Sequence, residues 1–280
     1  MNQHHAISPA DIADAELGRL LDAVYRHYRY DFRDYAHPSI GRRIWNSVRT
    51  EGLQTIPELT RKLIDEPACM ERFLEAVTVN VTAMFRDPDF YRDFRTQVVP
   101  HLRSLPLVRI WHAGCSTGQE VYSLAILLEE EGIYESCLIY ATDVNLHALE
   151  EAQGGIFPLA RLREYTANYL AAGGTRPFSE YYTADDRHAI FRGALRRNVV
   201  FSRHDLAVDG PFHRFHVILC RNVLIYFNEV LAARIHRLFY ESLETPGFLG
   251  LGSRESLRFT PHEAYYEETG STQSLYRKVR

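Results

Sequence analysis

The sequence predicts an α/β protein in which a small all-helical domain precedes a doubly wound, mostly parallel β-sheet. Three observations lead to this class. The first ~75 residues carry helical spacing, apolar strands and helices alternate further on, and polar residues collect where the predicted strands end. A chain of 280 residues is also long for one core, so its length favours about two domains.

The composition is that of a soluble globular protein. Hydrophobic residues make up 46% and charged residues 24%, which argues against disorder. A net charge of -4 gives no overall attraction to nucleic acid. The first ten residues lack the order of a signal peptide, and no apolar run approaches ~18 residues. We therefore expect a cytoplasmic protein that neither enters the membrane nor binds nucleic acid.

Cysteine and histidine spacing gives no sign of a metal site. None of the 13 histidines falls in an H-E-x-x-H pattern, and the four cysteines are too far apart for a C-x-x-C pair. These cysteines are Cys69, Cys115, Cys137 and Cys220. We expect reduced thiols, no bound metal, and histidines that serve the surface or the core.

Three helices are predicted in the N-terminal domain, which we place at residues 1–76. The first is capped by Ser8, the second by Ser39, and the third by Thr55 with its end before Pro67. Six arginines stand against two aspartates between positions 26 and 49, namely Arg26, Arg29, Arg33, Arg42, Arg43 and Arg49 against Asp31 and Asp34. A solvated helix face explains this excess, and a docking surface for an acidic partner is the functional alternative.

An extended segment is predicted next, because Val77, Val79 and Val81 alternate with polar residues. Asp87 and Pro88 then begin another helix. An edge strand followed by a helix would account for the apolar positions. It leaves three hydrogen-bonding residues unexplained: Asn80, Thr82 and Arg86.

Strands and helices alternate through the second domain, residues 77–280. The predicted strands lie in "LVRIWH", "CLIYATD", "RRNVVFSRHDL", "FHVILCRNVLIYF", "FLGLGS" and "SLYRKV", and helices follow at 119–131, in "VNLHALEEAQ" and in "NEVLAARIHRLFYESL". This order is typical of a right-handed parallel sheet. Ligands of such sheets bind at the carboxyl ends of the strands.

Polar residues follow the predicted strands at those ends. They are Gly114 to Gly118 after the first strand, Asp143 after the second, Asp205 after a later one, and Cys220, Arg221 and Asn222 after the next. Glycines allow a nucleoside-containing ligand to approach the backbone, and an acidic residue on the next strand accepts ribose hydroxyls. The glycine spacing is not G-x-G-x-x-G, which weakens the case for a dinucleotide.

Glu120 narrows the ligand class further. A carboxylate in the first turn of the helix after the glycines repels a pyrophosphate but suits a cationic group. S-adenosylmethionine carries an ammonium and a sulfonium, has no phosphate, and has a ribose that Asp143 can hold. The sequence therefore favours a methyl-donor site over a dinucleotide site.

Four motifs in this order, "NVTAMFRD", "AGCSTGQEVYSLAI", "ATD" and "CRNVLIYF", resemble the chemotaxis receptor methyltransferase family (CheR) over nearly the whole chain. The resemblance implies a Rossmann-like class I S-adenosylmethionine methyltransferase fold with a small antiparallel β-subdomain, which we place at about 163–203. It also implies an enzyme that esterifies glutamate side chains on the cytoplasmic helices of chemoreceptors and releases S-adenosylhomocysteine. We expect a monomer.

The resemblance also implies the site residues. Asn80, Thr82 and Arg86 would close over the cofactor, and Arg86 would grip its carboxylate. Gly114 would approach the cofactor, Glu120 would take its cationic end and Asp143 its ribose. The remaining residues are Asp205 and Leu206 beside the adenine, Cys220, Arg221 and Asn222 beneath the sulfonium, and Tyr226 beside the methyl group.

Each assignment has a purely structural alternative. Arg86 could pair with Asp87 or Asp89, Tyr226 could be a core aromatic, and Asp205 could cap a helix. The reaction itself needs little from the protein, because a glutamate with a pKa of roughly 4.3 is already ionised at neutral pH. Catalysis should then come from alignment and exclusion of water, with Arg86 and Tyr226 as positioning groups.

The chain departs from the family in two places. Gln119 replaces a common glutamate, and the second helix carries less basic charge than is usual, which weakens the case for receptor docking there. Two rival functions remain open at the level of sequence. One is a methyltransferase of RNA or small molecules, although "CRNVLIYF" is not an N-P-P-Y type motif. The other is a module that binds the cofactor without catalysis.

Overall fold

The computed structural model describes residues 9–78, 80–272 and 274–280, so the predicted cap Ser8 and the alternating residue Val79 lie outside it. The chain forms two compact units. One comprises the described residues before Asn80 together with Tyr226–Leu231, and the other comprises Asn80–Ile225 and Ala232–Arg280.

The first unit is helical. Its helices are α1 (Pro9–Tyr28), α2 (His37–Thr50), α3 (Ile56–Asp65) and α4 (Pro67–Val77). Helix α1 packs against α3, and α2 packs against α4. Their apolar faces enclose a core whose most deeply buried members include Leu20, Ile44, Leu59 and Phe73. The predicted bundle is therefore present, with a fourth helix that the sequence analysis missed.

The predicted caps differ in outcome. Thr55 caps α3 in a capping box: its side chain accepts the backbone N–H of Glu58, and the Glu58 carboxylate accepts that of Thr55. The Ser39 cap is wrong. Helix α2 begins three residues earlier, after Ala36, because Pro38 fits the first turn and leaves Ser39 inside the helix.

The predicted extended segment from Val77 is also wrong. Val77 is the last residue of α4 and is buried in the helical core, so the apolar face of that helix accounts for it. Thr78 donates its hydroxyl to the carbonyl oxygen of Leu74 and ends the helix. The described residues Asn80 to Thr82 form no strand.

A later segment of the chain completes the helical unit. The backbone N–H of Ala36 donates to the carbonyl oxygen of Tyr226 at 2.8 Å. The ring of Phe227 packs edge-to-face on that of Tyr35, with centroids 4.8 Å apart. Asn228 donates its backbone and side-chain N–H groups to Asp34 at 2.9 and 3.0 Å. Residues 226–231 are therefore part of this unit.

The second unit is built on a seven-stranded sheet. Its strands are β1 (Val108–Ala113), β2 (Cys137–Asp143), β6 (Val199–Arg203), β7 (Phe215–Cys220), β8 (Leu243–Leu251), β9 (Tyr266–Glu268) and β10 (Leu275–Lys278), and a separate small sheet contains β3 (Ile156–Pro158), β4 (Tyr182–Ala184) and β5 (His188–Phe191). The order is β6-β2-β1-β7-β8-β10-β9. The first five strands are parallel, and β10 and β9 are antiparallel to their neighbours. This is the predicted doubly wound sheet.

Helices connect these strands. They are α5 (Pro88–Asp93), α6 (Val99–Leu102), α7 (Gln119–Glu130), α8 (Leu146–Gly154), α9 (Leu162–Ala171) and α10 (Glu229–Ser242), with a π-helical stretch, Phe94–Val98, between α5 and α6. Helix α7 is buried along most of its length, as expected for a helix packed on a parallel sheet. No helix in the described part of the chain is long and apolar enough to cross a membrane.

The small sheet corrects the predicted limits of the β-subdomain, 163–203. Strand β5 pairs antiparallel with β3 and β4, so the subdomain begins earlier, at Ile156. Strand β6 instead joins the main sheet beside β2, since its residues Val199 and Phe201 pack against the main core. The three residues of β3 are too few to give a sequence signal.

The capping box of α3 gives a stability prediction. Thr55→Ala should lower the free energy of unfolding of the helical unit by about 1 kcal/mol, because the backbone N–H of Glu58 loses its acceptor, the Thr55 hydroxyl. Urea denaturation followed by the fluorescence of Trp45, in a Trp111→Phe background, measures this. The control is Thr60→Ala, whose hydroxyl donates to the helical carbonyl of Ile56. An equal loss in both variants would contradict the assignment.

Candidate active site

The candidate site lies at the carboxyl ends of the parallel strands in the second unit. The chain runs from β1 to β2 on one side and returns to β7 on the other side of β1. The strand order therefore reverses between β1 and β7, which is where open α/β sheets bind ligands. The polar residues predicted at the strand ends belong to this edge.

The glycine turn after β1 is tightly packed by the protein itself. The N–H groups of Gly114 and Cys115 both donate to the carbonyl oxygen of Thr142, at 2.8 and 2.9 Å. Gly114 has a φ of 71°, and a Cβ there would lie 2.6 Å from Cγ2 of Val223. Gly118 has a φ of 92°, and its Cβ would lie 2.7 Å from that of Ala152. Close packing against neighbouring segments therefore already requires both glycines.

Asp143 stands at the end of β2 with both carboxylate oxygens engaged by backbone. Ser116 N–H donates to Oδ2 at 2.8 Å, and Asn145 N–H donates to Oδ1 at 3.0 Å. Burial nevertheless raises the pKa of this carboxyl above its usual range. The carboxylate also accepts the backbone N–H of Val144, and its roughly four lone-pair sites still leave room for a hydroxyl donor.

Glu120 and Arg221 form a buried ion pair. Each residue is only 5% exposed, and Arg221 Nη1 donates to Glu120 Oε1. The other guanidinium nitrogen, Nη2, donates to Asp87 Oδ2 at 2.9 Å and to the carbonyl oxygen of Arg86 at 3.1 Å. The guanidinium also lies 4.2 Å from the ring centroid of Phe90. The predicted helix cap Asp87 thus binds Arg221, and its side chain makes no cap hydrogen bond.

Several titratable groups are buried around Glu120. Burial raises the pKa of Glu120, and Arg221 only partly opposes this. The hydroxyl of Tyr91 donates to Glu120 Oε1 at 3.4 Å. His112 Nε2 lies 3.9 Å from Glu120 Oε2, but burial and the nearby Arg221 lower the pKa of His112 to about 3. His112 is therefore neutral near pH 7, and this contact is not an ion pair.

The segment before α5 contributes Asn80, Thr82 and Arg86, all partly buried. Ser116 donates its hydroxyl to Asn80 Oδ1 at 3.4 Å, which joins this segment to the glycine turn. Arg86 Nη1 donates to the carbonyl oxygen of Val81 at 3.3 Å. Arg86 makes no ion pair with Asp87 or Asp89 among the described residues, since those carboxylates bind Arg221 and Arg92.

The remaining predicted cofactor residues lie at the ends of β6 and β7. The carboxylate of Asp205 accepts the N–H of Ala207 at 2.9 Å, and Leu206 is buried beside it. Cys220 is fully buried, and burial raises the pKa of its thiol well above the usual value. Asn222 has a φ of 60°, and its Oδ1 is buried without a hydrogen-bond partner in the described part of the chain.

Tyr226 belongs to the helical unit by its contacts. The Arg43 guanidinium lies 5.0 Å from the centroid of the Tyr226 ring. Arg43 also donates from Nη1 to the carbonyl oxygen of Val77 at 2.7 Å. The core-aromatic alternative for Tyr226 does not hold, since the side chain is only partly buried.

Sequence reasoning missed two residues at this edge. His112 was counted with the other histidines, although it lies in β1 beside Glu120. Glu255 follows β8, is 7% exposed, and accepts backbone N–H groups from the loop after β7. A single glutamate in a polar loop carries no spacing signal that would have marked it.

Comparison with known proteins finds a matching family model for each of the two regions of the chain. The model of the CheR methyltransferase all-alpha domain matches residues 15–78, and that of the CheR methyltransferase SAM binding domain matches residues 80–274. The chain is 46% identical to the Pseudomonas putida protein Cher3 over 265 residues, which is 95% of this chain and 97% of Cher3. It is 30% identical to a chemotaxis protein methyltransferase of Listeria innocua, over 84% of this chain and 87% of that protein.

His112 gives a pH prediction. Its lowered pKa means that the native protein leaves it neutral where the unfolded chain, with a pKa near 6.5, binds a proton. Stability is therefore lost as the pH falls from about 6.5 towards about 3. As the pH falls from 7.5 to 5.0, the free energy of unfolding should decrease by about 2 kcal/mol because of this histidine.

Urea denaturation of wild type and His112→Leu at both pH values measures the effect. The variant should lose about 2 kcal/mol less than wild type over this interval. His147→Leu, on the exposed surface of α8, is the control and should follow wild type. Equal pH dependence of all three proteins would contradict the placement of His112 as a buried neutral group.

Proposed function

Because the chain belongs to the CheR methyltransferase family and is a methyltransferase that uses S-adenosylmethionine, we propose that it esterifies glutamate side chains of chemoreceptors. The product would be a glutamyl methyl ester together with S-adenosylhomocysteine. The receptor helices that carry such glutamates lie in the cytoplasm, so the enzyme would act there. Names of relatives such as the chemotaxis protein methyltransferases of Listeria innocua and Salmonella typhimurium support this receptor substrate.

One observation carries the choice of cofactor chemistry. A helix N-terminus at the end of a parallel strand is normally a phosphate site. Here the first turn of α7 holds the buried carboxylate of Glu120, which would repel a phosphate. The carboxylate at this helix terminus therefore favours a phosphate-free cationic nucleoside, and S-adenosylmethionine is such a molecule.

The ion pair refines the role of Glu120. Arg221 already occupies Oε1, so we assign Oε2 to the ammonium group of the cofactor. We assign the remaining acceptor capacity of Asp143 to the ribose hydroxyls and the guanidinium of Arg86 to the cofactor carboxylate. The other proposed binding residues are Asn80, Thr82, Gly114, Asp205, Leu206, Cys220, Arg221 and Asn222.

The cofactor supplies an activated methyl group, and the protein supplies alignment. A substrate glutamate is ionised at neutral pH, so no general base is required. Glu120 and Asp87 compensate the charge of Arg221. This leaves the reacting groups without a strong unpaired cation that would favour the ground state over the transition state. Arg86 then acts by orienting the cofactor, because it approaches the site as a planar fork of donors.

Arginines of the helical unit offer the receptor an oppositely charged surface. Arg26, Arg29, Arg42 and Arg49 are exposed, whereas Arg33 pairs with Asp31 and Asp22. Receptor methylation helices must present glutamates, so charge attraction would increase the rate of encounter. This supports the docking alternative for the basic stretch.

Transfer of labelled methyl groups tests the proposal. Purified protein is incubated with the labelled cofactor and cytoplasmic receptor fragments, and the product is treated with mild base. Base-labile label on receptor glutamates is expected. Label on RNA or a small molecule supports a different substrate, and absence of transfer despite cofactor binding supports a non-catalytic module.

Tyr226→Phe gives a sharper test of catalysis. The role of this tyrosine rests on the motif "CRNVLIYF", and loss of its hydroxyl should lower turnover by about 10-fold or more, as expected for a lost positioning group. The affinity for S-adenosylhomocysteine should change by less than about twofold, because the cofactor contacts remain. Steady-state kinetics and calorimetry measure the two quantities.

Tyr265→Phe, at an exposed position of the second unit, is the matched control and should match wild type in both measurements. A parallel fall in affinity and turnover for Tyr226→Phe would refute the assigned role.

A further inference from the structure

We propose that Glu255 is a positioning residue for cofactor binding, because its carboxylate holds the loop 221–225 in the shape of the site. This loop follows β7 and carries Arg221 and Asn222. Glu255 itself follows β8, the neighbouring parallel strand. The inference concerns the cofactor alone and does not depend on the identity of the methyl acceptor.

The carboxylate of Glu255 accepts hydrogen bonds from five backbone N–H groups. Oε1 accepts those of Val223 at 2.8 Å, Leu224 at 2.7 Å and Ile225 at 3.4 Å. Oε2 accepts those of Asn222 at 2.8 Å and Gly252 at 2.6 Å. Four of the donors are consecutive, so the loop curls around one charged group as a nest does around an anion.

These N–H groups depend on the carboxylate because they lie beyond the ends of β7 and β8. Buried backbone donors outside a strand ladder need another partner. A carboxylate has enough lone pairs to serve several of them, and its negative charge strengthens each bond. The left-handed conformation of Asn222, at a φ of 60°, is strained and persists only when its surroundings fix it.

Gly252 lies in close contact with both Asn222 and the carboxylate of Glu255. A Cβ at this position would lie 2.7 Å from both the Asn222 backbone nitrogen and Glu255 Oε2. Real Cβ atoms do not approach so closely, so only glycine allows the two loops and the carboxylate to meet here. The clamp is therefore built from both strand ends.

The loop 221–225 contacts the proposed cofactor-binding residues directly, so its position determines theirs. Val223 packs directly over Gly114, where an added Cβ would lie 2.6 Å from Cγ2. Arg221, the first residue of the loop, reaches Glu120 and Asp87. If the loop shifts, the wall of the glycine turn and the partner of Glu120 shift with it.

Glu255→Gln tests this role with little change in volume. The amide presents an NH₂ group where one oxygen accepted N–H donors, so the loop loses part of its clamp. Calorimetric titration with S-adenosylhomocysteine should give a dissociation constant raised by at least about tenfold with a stoichiometry near one. Glu263→Gln is the control: this exposed carboxylate also accepts a backbone N–H, from Phe259 at 2.8 Å, and its change should leave the constant within about twofold of wild type.

The stoichiometry separates positioning from general support of the fold. Irreversible misfolding would reduce the number of sites but leave the measured dissociation constant unchanged, and reversible unfolding large enough to raise it tenfold would leave only about a tenth of the protein folded, which circular dichroism detects. Either result would overturn the proposal. Gly252→Ala provides a second route should Glu255→Gln fail to fold, because it keeps the carboxylate and displaces Asn222. It should raise the constant as well, and a wild-type value in this variant would also overturn the proposal.

Measurements on the wild-type protein distinguish failure of this proposal from failure of the proposed receptor function. Binding of S-adenosylhomocysteine without methyl transfer to receptor fragments would contradict the receptor function and leave the comparison with Glu255→Gln intact. Failure of wild type to bind S-adenosylhomocysteine would overturn the role of Glu255 directly.

Discussion

The site depends above all on the buried ion pair between Glu120 and Arg221. Removing two charges from water costs several kcal/mol per ion, and the pair is tolerable only with good geometry and further hydrogen bonds. Asp87, the carbonyl of Arg86 and the ring of Phe90 supply those contacts to the guanidinium. The pair consequently fixes the start of α7, the start of α5 and the end of β7 relative to one another before any ligand arrives.

Much of the fold could be predicted because buried parallel strands leave apolar runs. Strand β2 begins and ends where "CLIYATD" does, β1 and α7 differ from their predicted limits by one residue, and β7 begins where "FHVILCRNVLIYF" does. The failures occur where tertiary contacts override local pattern. The alternating valines suggested an extended segment, yet Val77 completes the helical core. The segment "RRNVVFSRHDL" does supply a strand of the main sheet as predicted, but its pairing with β2 means that the predicted insertion extended too far, to residue 203.

The sequence located the site better than it described the contacts within it. Residue types at the strand ends marked the edge of the sheet, but Glu120 and Arg221 stand 101 positions apart, and spacing alone gave no reason to pair them. His112 and Glu255 escaped notice for a related reason. The first is an isolated histidine in an apolar strand, and the second binds backbone groups, which carry no side-chain signature.

The helical unit is assembled from two separate stretches of chain, since Tyr226–Leu231 returns to contact Asp34 and Tyr35. It therefore cannot be exchanged between proteins as one continuous cassette. Recombination that replaced only the first 79 residues would pair a foreign bundle with a native six-residue insert. Compatible substitutions would then have to arise at two distant places in the gene, which ties the evolution of the bundle to that of the catalytic sheet.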